Sequence, residues 1–251
     1  MNDVLRHLER DEIRNINLLN FMQNNPVVGY ETVGNSVLVR GKSDRTWVYI
    51  SCSNQDELKL LSRKLDKQNT SFAAIEDWMM PILTKNRELL WDLSMMQFVL
   101  PENRSLPEPT HDFHSLSIED AEVVYQNSEY KEHISLDYVR ESIRRGPSAG
   151  IYAEDRLVAW AMTQDDGGIG FLQVLDDYRR KGYAYEIMLS LIAKIREQGK
   201  IPFAYIEEEN IPAINLVTKL EFRKDKKIHW FELKRRSTAK TRQPSPDTPT
   251  V

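Results

Sequence analysis

The spacing of apolar residues predicts a chain in which helices and strands alternate from one end to the other. Apolar side chains recur every three to four residues from Val4 to Met22, which favours a helix. Alternating residues on both sides of Gly34-Asn35 predict a β-hairpin, and the segment TWVYISC predicts another strand. Ser53, with Asp56 after it, has the pattern of an N-cap. The helix that it opens carries three leucines on one face: Leu58, Leu61 and Leu65.

Short apolar runs fill the remainder of the first hundred residues. FAAIE predicts a strand, the stretch from Asp77 to Leu83 a short helix, and LLWDL and MQFVL two separate strands. The segment PENRSLPEP, residues 101–109, is rich in proline and polar residues, so we interpret it as a linker. The chain before it forms a small α/β unit in this interpretation.

Beyond the linker the pattern predicts two helices and then three strands. Ser117 and Asp120 form a capping-box pattern that opens the first helix, and Leu136 to Ile143 is the second. The strands are GIYAE, LVAWAMT and GGIGFLQVL, separated by Asp155-Arg156 and Asp165-Asp166. Four further elements follow: a helix from Gly182 to Gln198, the strand FAYIE, a helix from Ile211 to Leu220, and a closing pair of strands, FRK and KIHWFEL.

Composition narrows the functional classes. The 251 residues carry a net charge of −4, which argues against nucleic-acid binding through overall charge. No apolar run approaches the roughly 20 residues that span a bilayer, and the acidic N-terminus lacks a secretory or transit signal. We therefore expect a cytoplasmic protein without a membrane partner. Cys52 is the single cysteine, so no intrachain disulfide can form, and we expect a buried structural thiol.

The segment FLQVLDDYRRKGYA, residues 171–184, carries the strongest chemical signal. A buried strand ends at Leu175 and a helix opens at Gly182, so free backbone N–H groups and the positive end of the helix dipole converge there. Gly182 lets a diphosphate approach the main chain without a Cβ in the way, and three cations stand beside it: Arg179, Arg180 and Lys181. These features predict a phosphate-bearing ligand.

The spacing in this segment excludes two common phosphate motifs. The chain has no G-x-x-x-x-G-K-[ST] string, and the G-x-G-x-x-G begun by Gly168 and Gly170 is broken by Gln173. The remaining pattern, R-x-x-G-x-A at Arg179 to Ala184, resembles the coenzyme A pyrophosphate loop of the GNAT acyltransferase superfamily. The block from Gly167 to Arg223 is similar to the branch that includes the glycine N-acyltransferases.

The resemblance implies a fold and a division into domains. It predicts an α/β (α+β) chain with the GNAT fold, in which a mixed, mostly antiparallel sheet is flanked by helices. The acyltransferase domain would cover residues 106–235 and a diverged GNAT-like half residues 1–105. Residues 236–251, polar and basic at first, would form a disordered tail.

The resemblance also implies the cofactor-binding residues. Acetyl-CoA or another acyl-CoA would be the co-substrate. Its pantetheine arm would lie along a strand that splays from its neighbour, and a backbone N–H of that strand would stabilise the oxyanion. The corresponding positions here are Leu172, Gln173, Val174, Arg179, Arg180, Lys181, Gly182, Tyr183, Ala184 and Asn210, which opens the final helix. The acceptor would be the amine of a small molecule such as an amino acid, attacking directly in a ternary complex.

The sequence departs from that family at its catalytic positions. The glutamate of the glycine acyltransferases corresponds to Gly168, and the tyrosine that many members use corresponds to Val217. Glu207 is our candidate base, because FAYIE ends where the cleft should open. Three adjacent carboxylates are more typical of a solvated strand end, and deprotonation through water without a dedicated base is equally admissible. Glu208 and Glu209 are weaker candidates than Glu207. Asp165 and Asp166 should lie in a turn at the far end of the strand.

Other functions remain open at this level. The missing glutamate and tyrosine also fit a catalytically silent acyl-CoA-binding module, and acylation of a peptide or protein amine is a further alternative. Nucleic-acid binding through the basic tail is a third class. His111 and His114 lack a third ligand nearby, so we expect no metal site, and His229 should be an exposed strand residue. The tryptophans Trp78, Trp91 and Trp160 fit a core role, with Trp160 able to line an acceptor cleft. The sequence leaves the oligomeric state open.

Overall fold

The computed structural model describes residues 1–110 and 113–235, which form eight α-helices and ten β-strands within those ranges. The helices are α1 (Asn2–Leu8), α2 (Glu12–Asn24), α3 (Gln55–Ser62), α4 (Met80–Leu83), α5 (Ala121–Gln126), α6 (Leu136–Arg145), α7 (Tyr183–Glu197) and α8 (Ile211–Lys219). The strands are β1 (Val27–Val33), β2 (Ser36–Lys42), β3 (Thr46–Ser51), β4 (Ser71–Glu76), β5 (Leu89–Val99), β6 (Ser148–Ala153), β7 (Arg156–Thr163), β8 (Ile169–Val174), β9 (Phe203–Ile206) and β10 (Arg223–Leu233).

All ten strands belong to one sheet in the order β1-β2-β3-β4-β10-β5-β9-β8-β7-β6. Only β3–β4 and β8–β9 pair in parallel, and the other neighbours are antiparallel. Each parallel pair is connected through a helix, α3 or α7, because a parallel crossover cannot be made by a tight turn. The predicted mixed, mostly antiparallel sheet flanked by helices is confirmed.

The order of elements in the first half of the sheet repeats in the second. A three-stranded antiparallel meander, a crossover helix and a parallel strand occur as β1 to β4 and again as β6 to β9. The last strand of each half lies in the middle of the sheet, next to a strand of the other half: β5 pairs with β9, and β10 pairs with β4. The division of the chain at residue 105 stays a prediction, and residues 236–251 lie outside the described residues.

The two faces of the sheet bury separate apolar clusters. Because side chains alternate along a strand, Ala204 and Ile206 of β9 pack with α7 and α8, whereas Phe203 and Tyr205 pack with the α2 side. The same alternation on β3 divides Tyr49, on the α2 side, from Val48, which packs with α3. The helices α5 and α6 cover the alternate face of β7, around Trp160.

Several predicted elements differ from the observed ones. The helix predicted from Val4 to Met22 is interrupted by a 3₁₀ turn at Glu9–Asp11. The helix α3 is capped by Asn54, whose side chain accepts the Glu57 N–H, rather than by Ser53. LLWDL and MQFVL form the single strand β5, and FRK and KIHWFEL form the single strand β10. These long strands pair with each other, and a β-bulge accommodates Asp225 and Lys226, which lie between the two predicted segments of β10.

His229 is buried, which corrects the prediction of an exposed strand residue. Its side chain lies between two carboxylates, with Nδ1 2.9 Å from Asp92 Oδ1 and Nε2 3.0 Å from Asp77 Oδ1. It is buried because β10 runs inside the sheet between β4 and β5, a position that its sequence alone does not reveal. Cys52 is buried, as predicted, with Sγ 3.0 Å from Ser36 Oγ. His111 lies outside the described residues, and His114 forms an isolated bridge with Gly150.

Candidate active site

The sheet opens between β8 and β9. The two parallel strands share a single register pair, Ile169 with Ala204, although both continue beyond it. On their other edges, β8 pairs with β7 and β9 with β5. The backbone of β8 after Ile169 therefore diverges from β9, and the gap between them crosses the sheet.

A β-bulge shapes the open edge of β8. The register with β7 shifts between Trp160 and Met162, so that Phe171 and Leu172 lie opposite a single residue of β7. Phe171 adopts a positive φ of 53°, which is rare for a bulky side chain. A bulge leaves its extra residue outside the regular ladder and redirects its backbone groups. The strand predicted to bind the pantetheine arm thus has irregular backbone where the sheet opens.

The loop after β8 presents a helix N-terminus. A 3₁₀ turn at Asp176–Tyr178 leads through Arg180, with φ 61°, to Gly182, with φ 84°, and α7 begins at Tyr183. The Gly182 carbonyl accepts hydrogen bonds from the Tyr185 and Glu186 N–H groups. The helical geometry leaves the preceding N–H groups, at Tyr183 and Ala184, without intrahelical acceptors. A Cβ placed on Gly182 would meet no atom within 4 Å, so the main chain there is openly approachable.

The three predicted basic residues of this loop differ in the partners of their side chains. Arg179 is turned back on its own loop, with Nε donating to the Val174 carbonyl at 3.2 Å and Nη2 3.0 Å from Asp176. Arg180 is exposed, and Lys181 lies over the Tyr178 ring at 4.8 Å. Arg180 and Lys181 therefore lie at the surface next to the helix N-terminus. Arg179 would add a third cation there if it released Asp176.

A cavity of about 290 Å³ occupies the gap between β8 and β9. Leu172 and Gln173 line it from β8, and Asn210, whose side chain accepts the Ala213 N–H at 3.1 Å, lines it from the start of α8. Val174 packs instead against the core under α7. Because both Ala204 and Tyr205 face the cavity, it reaches both faces of the sheet. On the α2 face its walls come from β3, β5, β9 and β10, and from the segment before α6.

Carboxylates held by tyrosine hydroxyls surround this cavity. Tyr130 donates to Glu207 Oε1 at 2.6 Å, and Tyr138 lies 3.1 Å from Asp165 Oδ1. Glu207 and Asp165 are half-buried cavity residues. Behind the wall, Tyr205 donates to Asp166 Oδ2 at 2.6 Å. Burial raises the pKa of Tyr130, Tyr138 and Tyr205, so these hydroxyls are neutral donors.

Asp166 is 1% exposed, and its donors among the described residues are neutral: the Tyr205 hydroxyl and the Gly168 N–H. Burial, reinforced by the charge of Asp165, raises its pKa to about 7. Burial likewise raises the pKa of Asp165. This pair lies in the predicted turn between β7 and β8, but Asp165 belongs to the cavity wall rather than to a remote end of the strand. The sequence alone missed it because the β8–β9 gap begins at Ile169, directly after the turn.

The raised pKa of Asp166 predicts a pH-dependent stability. An exposed aspartate has a pKa of 3.8. Between that pH and about pH 7, the folded chain therefore retains a proton on Asp166 that the unfolded chain has released. Stability from this group is therefore lost as pH rises, at up to about 1.4 kcal/mol per pH unit. Relative to the native chain, Asp166→Asn should show a flatter free energy of unfolding between pH 5 and 8 in urea titrations. Asp155→Asn, in an exposed turn, should keep the native profile, and parallel native and Asp166→Asn profiles would contradict the assignment.

The two positions that the sequence resemblance matches to catalytic residues, Gly168 and Val217, are surrounded by packed side chains. A Cβ at Gly168 would lie 2.4 Å from Cε2 of Tyr205, so the Tyr205–Asp166 pair occupies the space that a side chain there would need. Val217 is buried in α8 and lines the cavity. Glu208 forms an ion pair with Lys227 at 2.8 Å, and Glu209 is exposed. Of the three adjacent glutamates, Glu207 lines the cavity. Trp91 and Trp160 also line it, with Trp160 1% exposed.

Comparison with known proteins defines the class of fold. An X-ray structure of a Drosophila melanogaster protein is 18% identical, with 94% of this chain and 96% of that chain covered and a TM-score of 0.75. A GCN5-related N-acetyltransferase from Kribbella flavida is 12% identical, with 88% and 94% covered and a TM-score of 0.56. A Novosphingobium aromaticivorans protein described as an acetyltransferase of the GNAT family is 15% identical, with 75% and 84% covered and a TM-score of 0.51. The chain has the GNAT fold.

The comparison with family models is more specific for the second half of the chain. Residues 148–231 match the family described as FR47-like protein, a span that includes β8, the loop, α7 and β9. The more specific likeness to the glycine N-acyltransferases stays a prediction. In the ranges that the structure describes, no helix is long and apolar enough to cross a membrane.

Proposed function

We propose that this protein is an N-acetyltransferase that transfers an acetyl group from acetyl-CoA to the amine of a small molecule. One observation supports this most strongly: a cavity occupies the gap between β8 and β9, and β8, which lines it, leads directly into the exposed loop at the N-terminus of α7. A long thioester with a diphosphate at its distal end fits that arrangement. The glycine N-acyltransferase-like branch is part of the proposal.

The loop residues fit the diphosphate of coenzyme A. The N–H groups of Tyr183 and Ala184, together with the dipole of a 15-residue helix, favour an anion at this point. Arg180 and Lys181 add positive charge, and Arg179 can exchange Asp176 for a phosphate. The backbone of Leu172, Gln173 and Val174 would hydrogen-bond the pantetheine arm, and Asn210 would position the start of α8 beside it.

The chemistry requires a direct displacement. The amine nitrogen attacks the thioester carbonyl, the new C–N bond forms, the C–S bond breaks, and the departing thiolate takes up a proton. A backbone N–H of β8 near the Phe171 bulge would stabilise the oxyanion. The proton lost by the amine would pass to Glu207, directly or through water, since that carboxylate lines the cavity.

A second candidate function follows from the replaced catalytic positions. Gly168 and Val217 stand where related enzymes carry a glutamate and a tyrosine, so a module that binds acyl-CoA without turning it over is the alternative. Product formation separates the two functions. Binding of acetyl-CoA with no acetylated product across a broad amine panel, including a lysine peptide, would favour the silent module.

Titration calorimetry with acetyl-CoA on Gly182→Ala tests the binding site. A methyl group there would obstruct the diphosphate and cost a charge-assisted hydrogen bond, so we expect Kd to rise about tenfold or more. Gly199→Ala is a matched control, because Gly199 lies after the other end of α7, has a φ of 68° and has equally open space around its Cβ position.

Gly182→Ala and Gly199→Ala should lower the stability of the protein by similar amounts. Each forces alanine into the left-handed region and should cost about 1–2 kcal/mol of unfolding free energy. Only Gly182→Ala should weaken acetyl-CoA binding. An unchanged Kd in Gly182→Ala, or an equal loss in both variants, would contradict the proposed diphosphate site.

A further inference from the structure

The charge of the cavity wall bears on which amine enters. Four carboxylate residues line the cavity: Asp44, Glu129, Asp165 and Glu207. Within residues 1–110 and 113–235, no lysine or arginine lines it. The wall therefore offers negative charge and hydrogen-bond acceptors, and among its described residues the imidazole of His133 is present but no lysine or arginine.

The carboxylates of the cavity wall differ in whether a positively charged group pairs with them. Asp44 accepts from Arg45 at 2.9 Å and from the Trp47 indole N–H at 2.8 Å, so its charge has a partner. Asp165 and Glu207 are held by tyrosine hydroxyls, and neither takes part in an ion pair among the described residues. Neutral donors orient a carboxylate but leave its charge, and a desolvated, unpaired carboxylate is costly. A cation entering the cavity would relieve that cost.

Aromatic rings complete the wall on the α2 face. Trp47 and Trp91 meet edge to face at 6.4 Å, and Trp230 contacts Tyr205 edge to face at 4.6 Å. All four side chains line the cavity, as does Tyr49. Such rings bury an apolar ligand body and attract an ammonium group to their faces.

We propose that the acceptor is a small primary amine that enters as a cation, carries an aromatic or apolar body, and has no carboxylate. Its ammonium group lies near Asp165 and Glu207, and its body packs against Trp47, Trp91 and Trp230. This inference rests on the proposed function. It replaces the amino acids suggested by the sequence resemblance, because their carboxylate would lie among four carboxylate residues, with no lysine or arginine among the described residues of the wall. Like charges that are brought together in a partly buried site repel each other and weaken binding.

Matched pairs of amines and amino acids test this on the native protein. Tyramine and tyrosine, tryptamine and tryptophan, and phenethylamine and phenylalanine differ only by a carboxylate. With acetyl-CoA, thiol release and product mass should give a kcat/KM higher for each amine by a factor on the order of 100. Calorimetric binding of the same pairs, without acetyl-CoA, should show the same preference and does not depend on turnover.

A pair of variants tests the role of the carboxylate. Asp165→Asn should raise KM for the amines about tenfold, because it removes a charged partner, with a smaller change in kcat. The same substitution should also reduce the ratio of kcat/KM for each amine to kcat/KM for its matched amino acid. Asp155→Asn, in the exposed turn between β6 and β7, should leave KM for the amines and the ratio of kcat/KM between amine and amino acid unchanged.

The outcomes separate the two proposals. Failure of acetyl-CoA binding and of all turnover would count against the acetyltransferase, while the amine-binding preference would still decide the acceptor class. Turnover with amino acids equal to or better than the amines would overturn the inference and leave the acetyltransferase intact. Faster acetylation of a lysine peptide than of the free amines, or amines that neither bind nor react, would also overturn it.

Discussion

Replacing Phe231 with alanine should lower the free energy of unfolding by about 3–5 kcal/mol, as for other buried Phe→Ala changes. Phe231 is fully buried and its ring stacks on Phe72 at 4.7 Å with an interplanar angle of 3°. It belongs to β10, yet its neighbours are core residues of the first half of the chain, including Leu38, Val48 and Leu58. Alanine would leave a cavity between the sheet and α3 that the strands cannot close.

Equilibrium unfolding in guanidinium chloride provides the measurement. Leu90→Ala is the control, because Leu90 is 53% exposed on β5, the strand next to β10, and its loss should change stability by no more than about 0.5 kcal/mol. A loss below about 1 kcal/mol for Phe231→Ala would contradict the packing. The same curves bear on the proposed domain division at residue 105, since Phe231 comes from the second part of the chain and packs within the first.

Replacing Gly168 with alanine should both destabilise the protein and reduce the proposed acetyltransferase activity. The new Cβ would lie 2.4 Å from a ring carbon of Tyr205, which is itself confined by Phe203 and Trp230. Overpacking of this kind costs about 1–3 kcal/mol. Because the Tyr205 ring lines the cavity and its hydroxyl holds Asp166, its displacement should lower kcat/KM for the amine acceptor about tenfold or more.

Gly29→Ala is the matched control for this substitution. Gly29 lies in β1, and a Cβ there would meet nothing within 4 Å. Alanine at that position should leave activity unchanged and stability equal or slightly higher, because it restricts the unfolded chain. If Gly168→Ala retained native stability and activity, the close contact with Tyr205 would be refuted.

The loop that carries the proposed cofactor site was predictable because its signals are local. Gly182, the basic residues before it and the helical periodicity after it lie within one stretch of chain, and the structure places them at a helix N-terminus. The hairpin around Gly34 and the capping box at Ser117 were predicted for the same reason. Whether these loop residues bind coenzyme A stays a prediction.

The acceptor side of the site could not be predicted in this way. Its wall joins Trp47 of β3, Trp91 of β5, Asp165 after β7 and Trp230 of β10, which are distant in sequence. Their meeting depends on the exchange of β5 and β10 between the two halves of the sheet. The expectation that Asp165 is remote was wrong because the sequence does not show where β8 and β9 separate. The expectation that His229 is exposed was wrong because the sequence does not show that β10 lies inside the sheet.

Local patterns in the sequence are sufficient to predict the mixed α/β class, most of the elements and the strand-loop-helix unit at Gly182, because periodicity, caps and turns act between residues a few positions apart. The tertiary structure decided where the sheet opens, which strands lie at its centre, and which carboxylates are desolvated beside the cavity. Those properties depend on strand order and burial, which arise only when distant segments pack together.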